Sequence, residues 1–163
     1  MLFLWLSVDI VFYGVGFGLN ELGGDLYTNG ILFGITDVVS ALIISQLVNL
    51  IGRKPSLLLT WGSAAVGSIV YDFVRNYQTA SYIALIFSRF GGAGTFQIMY
   101  LYTSEAFPSE VRGTVLGLSN AMARVGGLVA PLFSSYIDHF MLIFGALAAL
   151  SFVASLFLRE TKG

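Results

Sequence analysis

The chain has 163 residues, of which 56% are hydrophobic and only 10% charged, and its mean hydropathy is +0.84. Soluble domains carry about 25% charged residues, so this is the composition of an integral membrane chain. A net charge of −1 excludes the basic surface that a nucleic-acid partner needs, and the lack of cysteine excludes disulfides and thiolate-bound metal.

Six apolar segments follow one another, each near the roughly 20 residues that cross a ~30 Å hydrocarbon core. The first, 2–19, has no Lys or Arg ahead of it and is interrupted by Asp9, which marks a membrane helix rather than a secretory signal. It carries Gly14, Gly16 and Gly18, with Phe12 and Tyr13 at mid-depth and Trp5 expected at an interface. After the polar stretch NELGGDLYTN, the second segment, 31–50, contains Asp37 and ends at Gly52-Arg53-Lys54-Pro55, a tight basic turn. The third, 56–74, places Trp61 at an interface as well. The fourth, 80–103, holds Arg89, the cluster Gly91, Gly92 and Gly94, and Phe96 with Tyr100 four residues on and so on one helical face. Glu105 and Arg112 bracket the next turn. The fifth, 113–136, opens on Gly113 and Gly117 in GxxxG spacing, then carries Arg124, Gly126 and Gly127, and the sixth spans 140–158. Small residues let membrane helices approach closely, and tight packing is the simplest role for most of these glycines.

These segments predict an all-α, six-helix membrane bundle, a single domain over 1–163. With the N-terminus inside, the inner side holds Arg53, Lys54, Arg112, Arg159 and Lys162, and the outer loops hold only Arg75. The excess of basic residues inside gives an N-in, C-in topology. The helices divide into three plus three, and each half begins with a glycine-rich helix carrying a charge at depth, as nested inverted repeats would.

Four ionisable residues fall within the spans: Asp9, Asp37, Arg89 and Arg124. An arginine at bilayer depth costs at least about 3 kcal/mol, so each needs a compensating partner, a cavity or an anion. Asp37 and Arg89 lie at similar depths and are expected either to lock the bundle as a pair or to form a polar relay with Asp9. Arg124 stands roughly 16 Å from the inner start of its helix, whereas Asp9 lies roughly 10 Å above the inner surface, too far along the normal for direct pairing. Arg124 is therefore expected to face a cavity, where a guanidinium offers a planar fork to a carboxylate or sulfonate. Phe12, Tyr13, Phe96 and Tyr100 either line that cavity for an aromatic or amphipathic ligand or simply fill the bundle. Gly52, Arg53, Lys54, Glu105 and Arg112 either set topology or form a cytoplasmic switch, made in one state and broken in another. His139 alone makes no metal cluster. No nucleophile–base pair, cofactor fingerprint or GxxxxGK[ST] loop is present, so neither an enzyme nor an ATP-driven pump is expected.

The segments NLIGRKP, SRFGGAGTF, YLYTSEAFPSEVRG and ARVGGLVAP, with WLSVDIVFYG, LNELGGDLYTN, GITDVVS and ETKG, resemble the C-terminal half of a major facilitator superfamily transporter. The branch they resemble carries organic anions, organic cations and carnitine-like zwitterions. The resemblance runs from about Trp5 to Gly163 and implies that the six helices are the seventh to twelfth of a twelve-helix fold. It also implies that Arg124 stands where carriers of anions or zwitterions have arginine and cation carriers have aspartate. The cavity aromatics would be Phe12, Tyr13, Phe96 and Tyr100, with Asp37 and Arg89 as the acid and base of the second and fourth helices. Asn49 is similar to the anion-carrying members. Val39 replaces a frequent proline, Ala41 replaces the lysine of several anion carriers, and Arg159 begins a tail that differs from the family's PETKG.

The expected function is half of a secondary active or facilitative transporter that moves small organic ions, anions or zwitterions, by alternating access. The alternative is a transport-inactive half acting as a structural or interaction subunit. The partners implied are membrane lipid, a small organic ion, and a complementary N-terminal six-helix half or a second copy. No cofactor is implied. The location is a multi-pass position in the plasma membrane or an organelle membrane.

Overall fold

In hydrocarbon a backbone satisfies its polar groups only within helices or closed barrels, and these uniformly apolar runs take the helical solution. The computed structural model describes residues 1–21 and 25–158. They form α1 (Leu2–Glu21), α2 (Leu26–Ile51), α3 (Arg53–Val74), α4 (Gln78–Ala106), α5 (Ser109–Tyr136) and α6 (Phe140–Leu156). Arg159 and Lys162, counted above for orientation, lie outside the described residues. By length and composition, Tyr27–Ile51, Arg53–Val74 and Ser109–Tyr136 can each cross a membrane, while Leu2–Gly18 and Phe140–Leu156 are shorter apolar helices.

α2 to α5 start earlier than hydropathy alone places them, and at α2 a side-chain cap extends the helix into polar sequence. Asp25 caps α2 by accepting from the Tyr27 amide at 3.4 Å and the Thr28 hydroxyl at 3.3 Å, so the polar Tyr27–Asn29 stretch is helical. The basic turn shrinks to Gly52 alone. Its φ of 99° is open to glycine at little cost, and it ends α2 and begins α3 at once. Arg53, Lys54 and Pro55 thus form the first turn of α3, where proline's missing N–H removes no helical bond.

The packing repeats itself. α1 packs on α5 and α6, and α4 packs on α2 and α3, while α1·α4 and α3·α6 pair directly. Exchanging the first three helices with the last three turns α1·α5 into α4·α2 and α1·α6 into α4·α3, and leaves the other two pairs unchanged. With an odd number of spans in each half, that is the contact pattern of a 3+3 inverted repeat.

Glycine decides the closest seams. A Cβ on Gly67 would sit 2.6 Å from the Ser88 amide nitrogen, and one on Gly91 would sit 2.6 Å from the Thr60 carbonyl, so α3 and α4 touch backbone to backbone. Between them the Ser68 and Ser88 hydroxyls bond at 2.7 Å. Gly126 brings α5 onto α1 in the same way, with its Cβ position 2.6 Å from the Leu6 carbonyl. Gly16, Gly113 and Gly117 meet nothing within 4 Å, so the GxxxG pair is not a seam inside the bundle. Gly91→Ala is therefore expected to cost about 1–3 kcal/mol, the usual range for overpacking. Gly117→Ala should cost nothing in the same thermal unfolding series in mild detergent. Equal melting of the two variants would refute this packing.

Trp5 and Trp61 correct the interface expectation, since both are fully buried. Trp5 donates its indole N–H to the Thr103 hydroxyl at 3.0 Å, which lets a polar edge sit in the core. α2 and α5 are among the helices that leave apolar faces bare, as are α3, with Leu59, Val66 and Phe73, and α6, with Leu150 and Val153. Ile31, Ile35, Val38 and Leu42 are exposed on α2, and Leu118, Val125, Leu128 and Leu132 on α5. α5 buries only the narrow stripe Ser119, Ala123, Gly126 and Ala130.

Candidate substrate site

Arg89 ties three helices together. From α4 it donates Nε to Asp37 Oδ1 at 2.8 Å and Nη2 to Oδ2 at 2.7 Å, a two-pronged bond to α2. Its Nη1 donates to the Phe12 carbonyl of α1 at 3.0 Å, and its guanidinium carbon lies 3.6 Å from the Phe12 ring centroid. The side chains are 12% (Arg89) and 33% (Asp37) exposed. Desolvation is offset because the fork meets a carboxylate of matching geometry and a ring face takes the remaining charge.

An aromatic wall continues from that point. Phe12 contacts Tyr13 at 5.6 Å between centroids and Phe96 at 5.6 Å. Phe96 contacts Tyr100 at 5.5 Å, and Trp5 backs the wall at 5.9 Å from Phe96 and 4.7 Å from Tyr100. The four aromatic candidates thus come to one surface of α1 and α4, with Tyr13 and Tyr100 at its exposed edge and Phe12 and Phe96 partly buried. Phe12 is also committed to Arg89, which the sequence spacing did not show.

Arg124 is exposed and donates Nη1 to the Tyr13 hydroxyl at 3.0 Å. It shares a cavity of about 270 Å³ with Asp9, Tyr13, Gly127 and Leu128. Asp9 is fully buried, and neither of its carboxylate oxygens has a hydrogen-bond partner. Here depth counting fails. The close approach at Gly126 and Gly127 sets the register, and a Cβ on Gly127 would lie 3.1 Å from Asp9 Oδ2. Arg124 is three residues from Gly127, about 4.5 Å of rise, so acid and base share one layer. The count assumed that both helices start at the same surface. Yet α5 starts at Ser109 and has already run for several turns before it meets Leu6 and Asp9. Asp9 and Arg124 nevertheless form no direct ion pair.

At the far end of the bundle, Arg53 grips Glu105, with Nη2 2.6 Å from Oε1 and Nε 2.9 Å from Oε2, joining the start of α3 to the end of α4. Lys54 Nζ donates to the Leu156 carbonyl at 2.7 Å and so caps the C-terminus of α6. Arg112 is exposed and stands in no ion pair among the described residues. The switch candidates therefore divide into a bonded set, Arg53, Lys54 and Glu105 around Gly52, and a separate Arg112.

Residues 2–163 match the family model of the Major Facilitator Superfamily. The chain belongs to that superfamily. It is 34% identical over 164 residues to solute carrier family 22 member 6-B of Xenopus laevis, which covers 98% of this chain and 30% of that protein. It is 32% identical over 166 residues to organic anion transporter 3 of Oryctolagus cuniculus, covering 96% of this chain and 30% of that protein. Against organic anion transporter 3 of Rattus norvegicus it is 33% identical over 164 residues, again with 96% and 30% covered. The chain spans about 30% of the length of these curated relatives.

Two polar features of this facilitator half escaped the sequence reading. The Tyr100 hydroxyl donates to Asn120 Oδ1, and Asn120 Nδ2 donates to the Leu116 carbonyl at 3.1 Å. Asn120 so bridges α4 to α5 beside the aromatic wall. Its signal was available, since it precedes Arg124 by one helical turn and shares its face. At the opposite end from Arg53, His139 Nδ1 lies 3.0 Å from Asp72 Oδ2, and Arg75 Nη1 donates to the Asp138 carbonyl at 3.2 Å. These contacts bind the start of α6 to the end of α3. Nothing in the spacing of Asp72 and His139, 67 residues apart, pointed to them.

Proposed function

We propose that the chain is one six-helix half of a secondary transporter that moves small organic anions or zwitterions by alternating access. Arg124 holds the substrate's negative group, and Tyr13, Phe96, Tyr100 and the edge of Phe12 face its body. Asp37 and Arg89 hold the geometry of the wall. A complementary N-terminal six-helix half closes the cavity against the bare faces of α2 and α5. The Arg53–Glu105 pair and Lys54 keep the cytoplasmic ends of α3, α4 and α6 together in one state and release them in another, with Gly52 as the pivot and Arg112 free to engage the other half. The half sits in the plasma membrane or an organelle membrane with both ends inside, an orientation that fits the distribution of Lys and Arg.

The observation that carries this reading is an exposed guanidinium within a cavity, bonded to the Tyr13 edge of an aromatic wall. Intramembrane ionisable residues mark substrate or ion pathways by default. The relatives named organic anion transporters support an anion as cargo. The test is a chimera that joins the N-terminal part of the Xenopus laevis relative to this chain, reconstituted in vesicles. It is expected to accumulate radiolabelled benzoylglycine, while vesicles holding this chain alone do not. A correctly inserted chimera without uptake would favour the transport-inactive subunit.

A further inference from the structure

Asp9 is a fully buried ionisable side chain that stands in no direct ion pair. Its carboxylate is fully enclosed, and both oxygens lack a donor. An enclosed carboxylate without hydrogen bonds keeps its charge only while a counter-charge stands close by. The groups around it are few. On its own helix Tyr13 is engaged by Arg124. On α4, Arg89 is committed to Asp37, and the Tyr100 hydroxyl to Asn120. α6 carries no titratable residue. That leaves Arg124 on α5, across the shared cavity, as the one cation able to offset Asp9.

We propose that Asp9 is a proton-binding site whose occupancy is set by what Arg124 holds. With the cavity free of anion, Arg124 offsets the Asp9 carboxylate across the cavity. When an anionic group engages Arg124, that offset is lost, and Asp9 takes up one proton from hydronium reaching it through the cavity, one hydronium O–H bond breaking as the Asp9 O–H bond forms and water being left. Release of the anion returns Arg124 to Asp9, and the proton leaves as the O–H bond breaks. One monovalent anion then travels with one proton, so the pair crosses without net charge. Gly127 is the structural device that allows this, because its missing side chain lets α5 close onto Asp9 Oδ2, which a Cβ would approach to 3.1 Å, and so brings Arg124 into the layer of Asp9. The coupling to transport rests on the reading of Arg124 as the anion anchor, but the response of Asp9 to Arg124 does not.

Infrared spectroscopy of the chain in lipid nanodiscs at neutral pH separates the two. The unaltered chain without anion is expected to show no protonated-carboxyl C=O band from Asp9. Arg124→Gln should produce that band at an intensity of one carboxyl per chain. The band should vanish in Arg124→Gln/Asp9→Asn and be absent in Arg124→Lys, which keeps the charge. An ionised Asp9 in Arg124→Gln, bare or holding a sodium ion, overturns the proposal, as does a band already present in the unaltered chain. Adding benzoylglycine to the chimera, in which the complementary half closes the cavity, gives a second measurement without any substitution in this chain. Appearance of the band supports coupling, and anion binding without it overturns coupling. If the anion fails to bind while Arg124→Gln still raises the band, the transport reading falls and the Asp9 site stands.

Discussion

Arg89→Gln is expected to destabilise the bundle by about 3 kcal/mol, the low end of the cost of breaking a buried ion pair. The low end applies because Asp37 keeps a third of its side chain open. The loss is threefold. Asp37 is left without its fork, the Phe12 carbonyl loses a donor, and the Phe12 ring loses the cation on its face. Asp37→Asn should cost less, since the guanidinium keeps the Phe12 carbonyl and ring and an amide oxygen can still accept one bond. Unfolding of the two single variants and the double variant in a mild-to-denaturing detergent titration measures the cycle. A coupling of at least about 1 kcal/mol is expected for groups in direct contact. Additive effects would mean that the pair does not hold α2 to α4.

Arg124→Ala should behave in the opposite way, with a large functional loss and a small structural one. Its guanidinium is exposed and makes one hydrogen bond to Tyr13, and Asp9 can take up a proton once that charge is gone, so thermal stability should fall less than in Arg89→Gln. A hydrogen bond to a charged group contributes about 1.5–3 kcal/mol, so benzoylglycine affinity in the chimera should fall roughly 10- to 100-fold. Arg124→Lys should recover only part of that, because an ammonium keeps the charge but lacks the planar fork. Uptake with unchanged affinity in Arg124→Ala would remove Arg124 from the substrate site.

Much of the architecture was legible because hydrocarbon leaves a chain few choices. The six helices follow from six apolar runs. The pairing of Asp37 with Arg89 could be anticipated, because two opposite charges at similar depth in hydrocarbon attract strongly. Helix ends were less legible, since Asp25 and Gly52 act through local backbone geometry that hydropathy does not report. Trp5 looked like an interfacial anchor by type, yet the Thr103 hydroxyl that satisfies its N–H lies 98 residues away.

The sequence by itself determined the class, the number of helices, and the charges placed at depth, all of which follow from composition and from a fixed rise per residue. Only the tertiary structure decided that Asp9 and Arg124 share a layer and a cavity. Helix register is set by backbone contact at Gly67, Gly91 and Gly126, and no one-dimensional count contains it. That register brings Asp9 into the layer of Arg124 yet leaves it unpaired, and it turns Gly113 and Gly117 away from the bundle. A membrane charge is defined by its neighbours, and those neighbours are set by how closely two backbones can approach.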